Sequence, residues 1–131
     1  MARPHSRTRR GGNAVEFALT LPIYVAILSG VVDFGWYFNQ RMVVTMAGRD
    51  AARAASLVPL GGNVETEGEA QGNASLQASG LSGTVDCTLA GTSPDQEVSC
   101  SVTVPFVPLI GLAPNPNDLL SRITMRMEEQ P

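Results

Sequence analysis

Residues 17–38, FALTLPIYVAILSGVVDFGWYF, form a run in which 16 of 22 residues are apolar. A helix rising about 1.5 Å per residue makes this run about 33 Å long, enough to cross a bilayer core of about 30 Å. The run also removes most large apolar side chains from any common core. Six of the seven aromatic residues fall inside it, and only Phe106 follows it. One large soluble core is therefore excluded for a chain of 131 residues, and a membrane-tethered small domain is expected.

The flanks set an orientation. Residues 1–11, MARPHSRTRRG, carry Arg3, Arg7, Arg9 and Arg10 and no acid. Such a basic flank is retained in the cytoplasm, so the C-terminal part is expected to be exported across the membrane. Phe34, Trp36, Tyr37 and Phe38 then fall where the outer belt of interfacial aromatics belongs. From residue 57 onward, Arg122 and Arg126 stand against nine acids, a local charge of −7. An acidic region without a basic stripe is a poor partner for nucleic acid, because phosphate neutralisation supplies most of that affinity. The expected large partner is the lipid bilayer.

Three kinds of segment begin this way. A cleavable secretory signal has a shorter apolar stretch and a small-residue cleavage site, whereas here Asp33 and the aromatics stand at that place. A plain anchor accounts for the length and places Asp33 at the interface, but it leaves Glu16 without a reason at the edge of the span. Carboxylates at membrane depth are costly and mark function. Gly11, four intervening residues, Glu16 and Phe17 make the pattern G-x-x-x-x-E-F. It resembles the type IV prepilin processing site, which implies that a prepilin peptidase cuts between Gly11 and Gly12 and leaves Glu16 fifth. The new α-amino group and the Glu16 carboxylate would then neutralise each other between neighbouring subunits. A cut after Gly12 would place Glu16 fourth instead.

The resemblance narrows over residues 12–56. VEFAL at 15–19, Leu21-Pro22, Asp33-Phe34-Gly35 and AGRDAARAA at 47–55 are similar to the TadE-like family of minor pseudopilins in Tad (Flp, tight adherence) pilus systems. The resemblance covers about a third of the chain. It implies a prepilin-like precursor and a role in pilus assembly and surface adherence. The implied partners are the Tad-system peptidase, the major Flp pilin and other minor pseudopilins, and the inner-membrane Tad assembly platform. The expected mature chain of 120 residues has five arginines against twelve acids, a charge of −7. The rival expectation is an unprocessed bitopic accessory protein whose outer domain binds a ligand or partner.

Helical periodicity continues past the span to Ser56, with Pro22 tolerable inside it. Met42, Met46, Arg49 and Arg53 share one stripe, and Val43, Ala47, Ala51 and Ala54 another. The alanine stripe is equally consistent with close helix approach and with simple helix propensity. Leu57-Val58-Pro59 and Gly61-Gly62 end the helix. Residues 61–83, rich in Gly, Ala, Ser, Gln, Glu and Asn, have the composition of a flexible surface linker with room for a short helix around 69–78.

The period then changes to two. Val85, Cys87 and Leu89 alternate with polar residues, as do Val98, Cys100, Val102, Val104 and Phe106, and AGTSPDQ between them is turn chemistry. A hairpin pairing Val85 with Val102 and Leu89 with Val98 sets Cys87 opposite Cys100 on the apolar face. Outside the inner membrane that pair is expected as a disulfide, a staple for a head with a single aromatic. Two thiolates without a usable histidine do not make a zinc site, since His5 lies in the leader. Ile123, Met125 and Met127 predict a third strand, and the four prolines of residues 105–117 predict loop.

The lone leader histidine also leaves no base for Ser-His or Cys-His chemistry. Glu65, Glu67, Glu69, Asp86 and Asp95 fit a solvated acidic loop better than a carboxylate site. No enzyme activity and no cofactor are expected. The predicted fold is α+β and type IV pilin-like: a basic leader at 1–11, a transmembrane helix with its extension at 12–57, a linker at 58–83, and at 84–131 a small antiparallel β-sheet head with one disulfide.

Overall fold

The computed structural model describes residues 9–59, 62–92, 95–111 and 118–127, with side chains from residue 12 onward. Most of the leader with His5, the middle of the 90–96 turn, and the end of the proline-rich loop with Pro114 and Pro116 lie outside the described residues.

Helix α1 runs from Arg9 to Ser56, 48 residues with Pro22 inside it. Proline removes one backbone donor, yet the helix carries through, as its position within the apolar span allows. The helix closes with a tightened last turn: the N–H groups of Leu57 and Val58 donate to the carbonyls of Ala54 and Ala55, each three residues back. Pro59 then prevents continuation.

Three strands follow in the expected antiparallel order, β1 (Thr84–Ala90), β2 (Glu97–Val104) and β3 (Leu119–Arg126), with β2 in the centre. The hairpin register is the expected one, with Val85 opposite Val102, Cys87 opposite Cys100 and Leu89 opposite Val98. Alternation buries Val85 and Cys87 on β1 and Val98, Cys100, Val102 and Val104 on β2. Leu89 departs from the pattern and is exposed near the turn end of the hairpin. Strand β3 begins earlier than its Met/Ile alternation implies, because Leu119 is already buried beside Val104.

Cys87 and Cys100 form a disulfide with their Cα atoms 4.1 Å apart. The bond closes a loop of sequence separation 13, which in the chain-entropy account stabilises the head by about 3 kcal/mol. The exposed Arg126–Asp95 ion pair adds little by comparison.

The stretch with linker composition is folded. Helix α2 spans Val64–Ala78, beginning five residues before the short helix that composition allowed, and it packs on α1 and β1. Its buried residues, Val64, Gly68, Gly72 and Leu76, recur every fourth position. They meet the buried face of α1, formed by Val44, Ala47, Ala51, Ala52 and Ala55. Small residues on both helices permit a separation that larger side chains would prevent. A Cβ at Gly72 would stand 2.8 Å from Val85 Cγ1 and 3.0 Å from Ala51 Cβ. The alanine stripe is therefore a packing face, shifted slightly from the expected one: Val43 and Ala54 are only half-buried, and Val44 and Ala55 take their places.

Helix α2 also covers the free edge of the sheet. Glu69 Oε1 accepts from the Cys87 N–H at 3.4 Å, and Glu65 Oε1, one turn earlier, accepts from the Leu89 N–H at 3.3 Å. These are outward-pointing groups of an edge strand, which would otherwise invite pairing with another chain. Ser75 adds a tie to α1, its hydroxyl donating to Asp50 Oδ2 at 2.9 Å.

In an exposed helix, Gly→Ala stabilises by about 1 kcal/mol. Gly72→Ala and Gly68→Ala are expected to reverse that sign and cost about 1–3 kcal/mol through overpacking. Thermal unfolding of the full chain in detergent, followed by circular dichroism, checks this; a raised midpoint for either variant contradicts the close approach.

Candidate functional site

Two parts of α1 carry the candidate functional residues, its open N-terminal end and its junction with the head. At the open end Gly11 and Gly12 lie within the helix, and a Cβ at Gly12 would meet no atom within 4 Å. Two adjacent glycines make this turn the least costly part of α1 to unwind, since each is about 1 kcal/mol less favourable than alanine in a helix. Glu16 is exposed, and Phe17 beside it is 62% exposed.

Beyond them almost the whole circumference of α1 is bare. Leu19, Ile23, Tyr24, Ile27, Leu28 and Val31 are among its exposed large apolar residues. The hydroxyls of Thr20 and Ser29 on this stretch turn back on the helix, Thr20 donating to the Glu16 and Phe17 carbonyls and Ser29 to the Val25 carbonyl. The helix is long and apolar enough to cross a membrane. An apolar surface of this extent, uncovered by protein, suits hydrocarbon or neighbouring apolar helices.

At the junction a single stripe turns inward. Ser29, Asp33, Gln40 and Val44 are buried and Tyr37 half-buried, at spacings of three and four residues. Asp33 is only 2% exposed. Its Oδ1 accepts a hydrogen bond of 2.8 Å from the Ile110 N–H. Tyr37 packs edge-to-face on Phe106 with ring centroids 5.4 Å apart. Asp33 thus holds the loop that follows β2 rather than simply marking an interface, a role that single-chain periodicity did not reveal.

The opposite side of the same stretch is open. Phe38, Arg41, Met42, Thr45, Met46 and Arg49 line a shallow groove there, and Met42 and Met46 protrude. Arg41 Nη1 donates to the Tyr37 hydroxyl at 2.8 Å. One side of α1 is therefore committed to the head, and the other presents apolar and arginine side chains outward.

The sequence-derived site residues remain in separate places. Gly11, Gly12, Glu16 and Phe17 occupy one end of α1, whereas Cys87 and Cys100 staple the head. The carboxylates of the 65–69 stretch are not gathered into a site: Glu65 and Glu69 serve β1. Among the described residues no group of three or more His, Cys, Asp or Glu side chains is placed to hold a metal ion.

Bare apolar helix and disulfide-closed head together define a chain with an N-terminal helix of membrane-spanning length and a small α+β domain built on its distal half. Within it, residues 11–53 match the family model described as TadE-like protein, so α1 from the glycine pair to Arg53 is a TadE-like segment. The head lies outside the matched residues. No curated protein and no solved structure matches the chain.

Asp33→Leu is expected to free the Ile110 N–H and raise its hydrogen-exchange rate about fivefold or more, as for a part-buried donor left without its acceptor at a cost of about 1–3 kcal/mol. Asp33→Asn, which keeps an acceptor oxygen, should retain most of the protection. Equal exchange in Asp33→Leu and the parent chain would show that the carboxylate does not hold the loop.

Proposed function

We propose that this chain is a minor pseudopilin of a Tad/Flp pilus, made as a precursor, cut after Gly11 by the prepilin peptidase, and active in pilus assembly and surface adherence rather than as an enzyme. The TadE-like segment associates it with Tad pilus systems. The observation that carries the finer reading is the placement of Gly11, Glu16 and Phe17 at the open end of a helix left bare by its own head.

In this reading the arginine-rich leader stays in the cytoplasm and the head stands in the periplasm, in accord with the charge asymmetry. Cutting releases an α-amino group at Gly12, one helical turn from Glu16. Within one helix the amine and carboxylate are close but both remain wet. Between staggered helices the carboxylate of one subunit meets the amine of the next as both leave water, which gives docking a defined register. The bare side of α1, with Met42 and Met46, receives the neighbouring helices of the major Flp pilin and other minor pseudopilins while the inner-membrane Tad platform holds the subunits. The head occupies the opposite side and does not obstruct that packing.

Processing is checked by intact mass and N-terminal sequencing of protein extracted from the membrane. The mature chain is expected to start at Gly12, and Gly11→Ala should leave most of it uncut. Retention of Arg3 and His5 in piliated cells would support an unprocessed bitopic accessory protein instead.

Glu16 separates an assembly role from anchoring. An ionised side chain near hydrocarbon costs up to about 2.5–3.5 kcal/mol on insertion scales, and less at the interface. Glu16→Ala should therefore insert at least as well as the parent and still be cut, yet lose fibres, with Glu16→Asp in between. Cleavage scored by gel shift and fibres by electron microscopy in the same strains give the outcome. Normal fibres from cut Glu16→Ala protein would mean that the charge has no part in assembly.

A further inference from the structure

The loop at residues 105–111, PFVPLIG, has no charged residue, and its side chains divide sharply. Phe106 is buried in the head core, whereas Val107, Leu109 and Ile110 are 68%, 62% and 46% exposed. Three apolar side chains on one short loop are unusual as a water-facing surface, and their height along α1 gives the reason. The Ile110 N–H is bonded to Asp33, and Phe106 packs on Tyr37. The loop thus lies beside residues 33–37, inside the apolar run.

Length decides which solvent surrounds it. From Phe17 to Val32, the part of the run before Asp33, there are 16 residues, or about 24 Å of helix, short of a hydrocarbon core of about 30 Å. Filling the core takes about 20 residues, which carries lipid past Asp33 to the level of Trp36. The loop tied to Asp33 is carried in with it. Depth also explains why a carboxylate stands there. A non-helical segment at membrane level needs its backbone donors satisfied by protein, and Asp33 supplies an acceptor to Ile110. Ser29 is buried and Gly30 half-buried while Leu28 and Val31 beside them are exposed, so cover extends down one side of α1 below Asp33.

We propose that the 105–111 loop is a second membrane contact of this protein, lying in the bilayer interface away from Glu16 with Val107, Leu109 and Ile110 against lipid. It rests on the reading of α1 as a membrane span. The partner is lipid rather than a neighbouring subunit because the loop's height, not its shape, brings it to the bilayer interface, where water still reaches its backbone, and because no charge in the loop opposes insertion. Together the helix and the loop fix the head's tilt and rotation on the membrane, which a single span leaves free.

Tryptophan depth quenching tests this in full-length protein reconstituted into phosphatidylcholine vesicles whose acyl chains are brominated near the headgroup end. The parent chain, with Trp36 as its one tryptophan, reports on the span. Leu109→Trp and Val107→Trp, each with Trp36→Phe, report on the loop, and Thr88→Trp in the same background reports on the exposed face of β1. The proposal expects blue-shifted emission and a loss of about half the signal at both loop positions, close to that of Trp36 and unlike Thr88→Trp. Loop emission that matches Thr88→Trp while Trp36 is quenched overturns the loop contact and leaves the span intact. Blue-shifted loop emission without quenching means that protein covers the loop, and it overturns the proposal too. An unquenched Trp36 removes the span on which the proposal rests.

Discussion

One helix must serve two surroundings without a break, and the rest of the molecule follows from how it does so. Through the apolar run α1 presents large side chains on nearly every side, which suits hydrocarbon but not close packing with a small domain. Past Phe38 the large residues give way to Val44, Ala47, Gly48, Ala51, Ala52 and Ala55 on one face. That change lets two further elements approach the backbone itself. Helix α2 answers with its own glycines, and the sheet with Val102 and Ile123, whose side chains lie against Gly48. The head has little aromatic mass, so it gains its core by proximity rather than by bulk, and small losses of fit weigh heavily.

Helix α2 has a second duty. The hairpin leaves β1 with no strand on its outer side. Glutamates four residues apart on α2 reach two N–H groups two residues apart on β1, a match between the pitch of a helix and the repeat of a strand. Gly68, where a Cβ would stand 2.8 Å from Cys87 Sγ, lets α2 lie over the disulfide and brings Glu69 within reach of the Cys87 N–H. Disulfide, edge cover and helix packing thus meet at one residue.

How much of this could be read from the chain depended on the range of the interaction. Strand pairing was legible because period-two alternation has few competing explanations, and fixing Val85 against Val102 placed the cysteines opposite each other. The end of α1 was legible from Pro59 and the glycines after it. Helix α2 was not, because its glycines and polar residues have the composition of a linker. A four-residue recurrence of Val64, Gly68, Gly72 and Leu76 was present, and small residues at that spacing signal a close helix contact as surely as large ones signal a core. At the candidate site, the Gly11–Glu16 register was a local pattern and needed no tertiary knowledge. The Asp33–Ile110 bond was different: its partners are separated by 77 residues, and nothing in either neighbourhood names the other.

That separation also orders events in time. Synthesis delivers the small-residue face of α1 long before β2 and β3 exist to cover it. Helix α2 follows after a short turn and can dock on Ala51 and Ala55 at once, because closing a short loop costs little conformational entropy. The sheet must wait until Leu119 and the strand it begins have emerged, and only then does the Phe106 loop have a frame to hold it against Asp33. A helical hairpin can therefore form before the head, and for that interval β1 and β2 are an incomplete sheet across which the chain's two cysteines face each other. An oxidant that acts early is not a hazard here, since the two cysteines lie in adjacent strands of one hairpin and find each other before the last strand arrives.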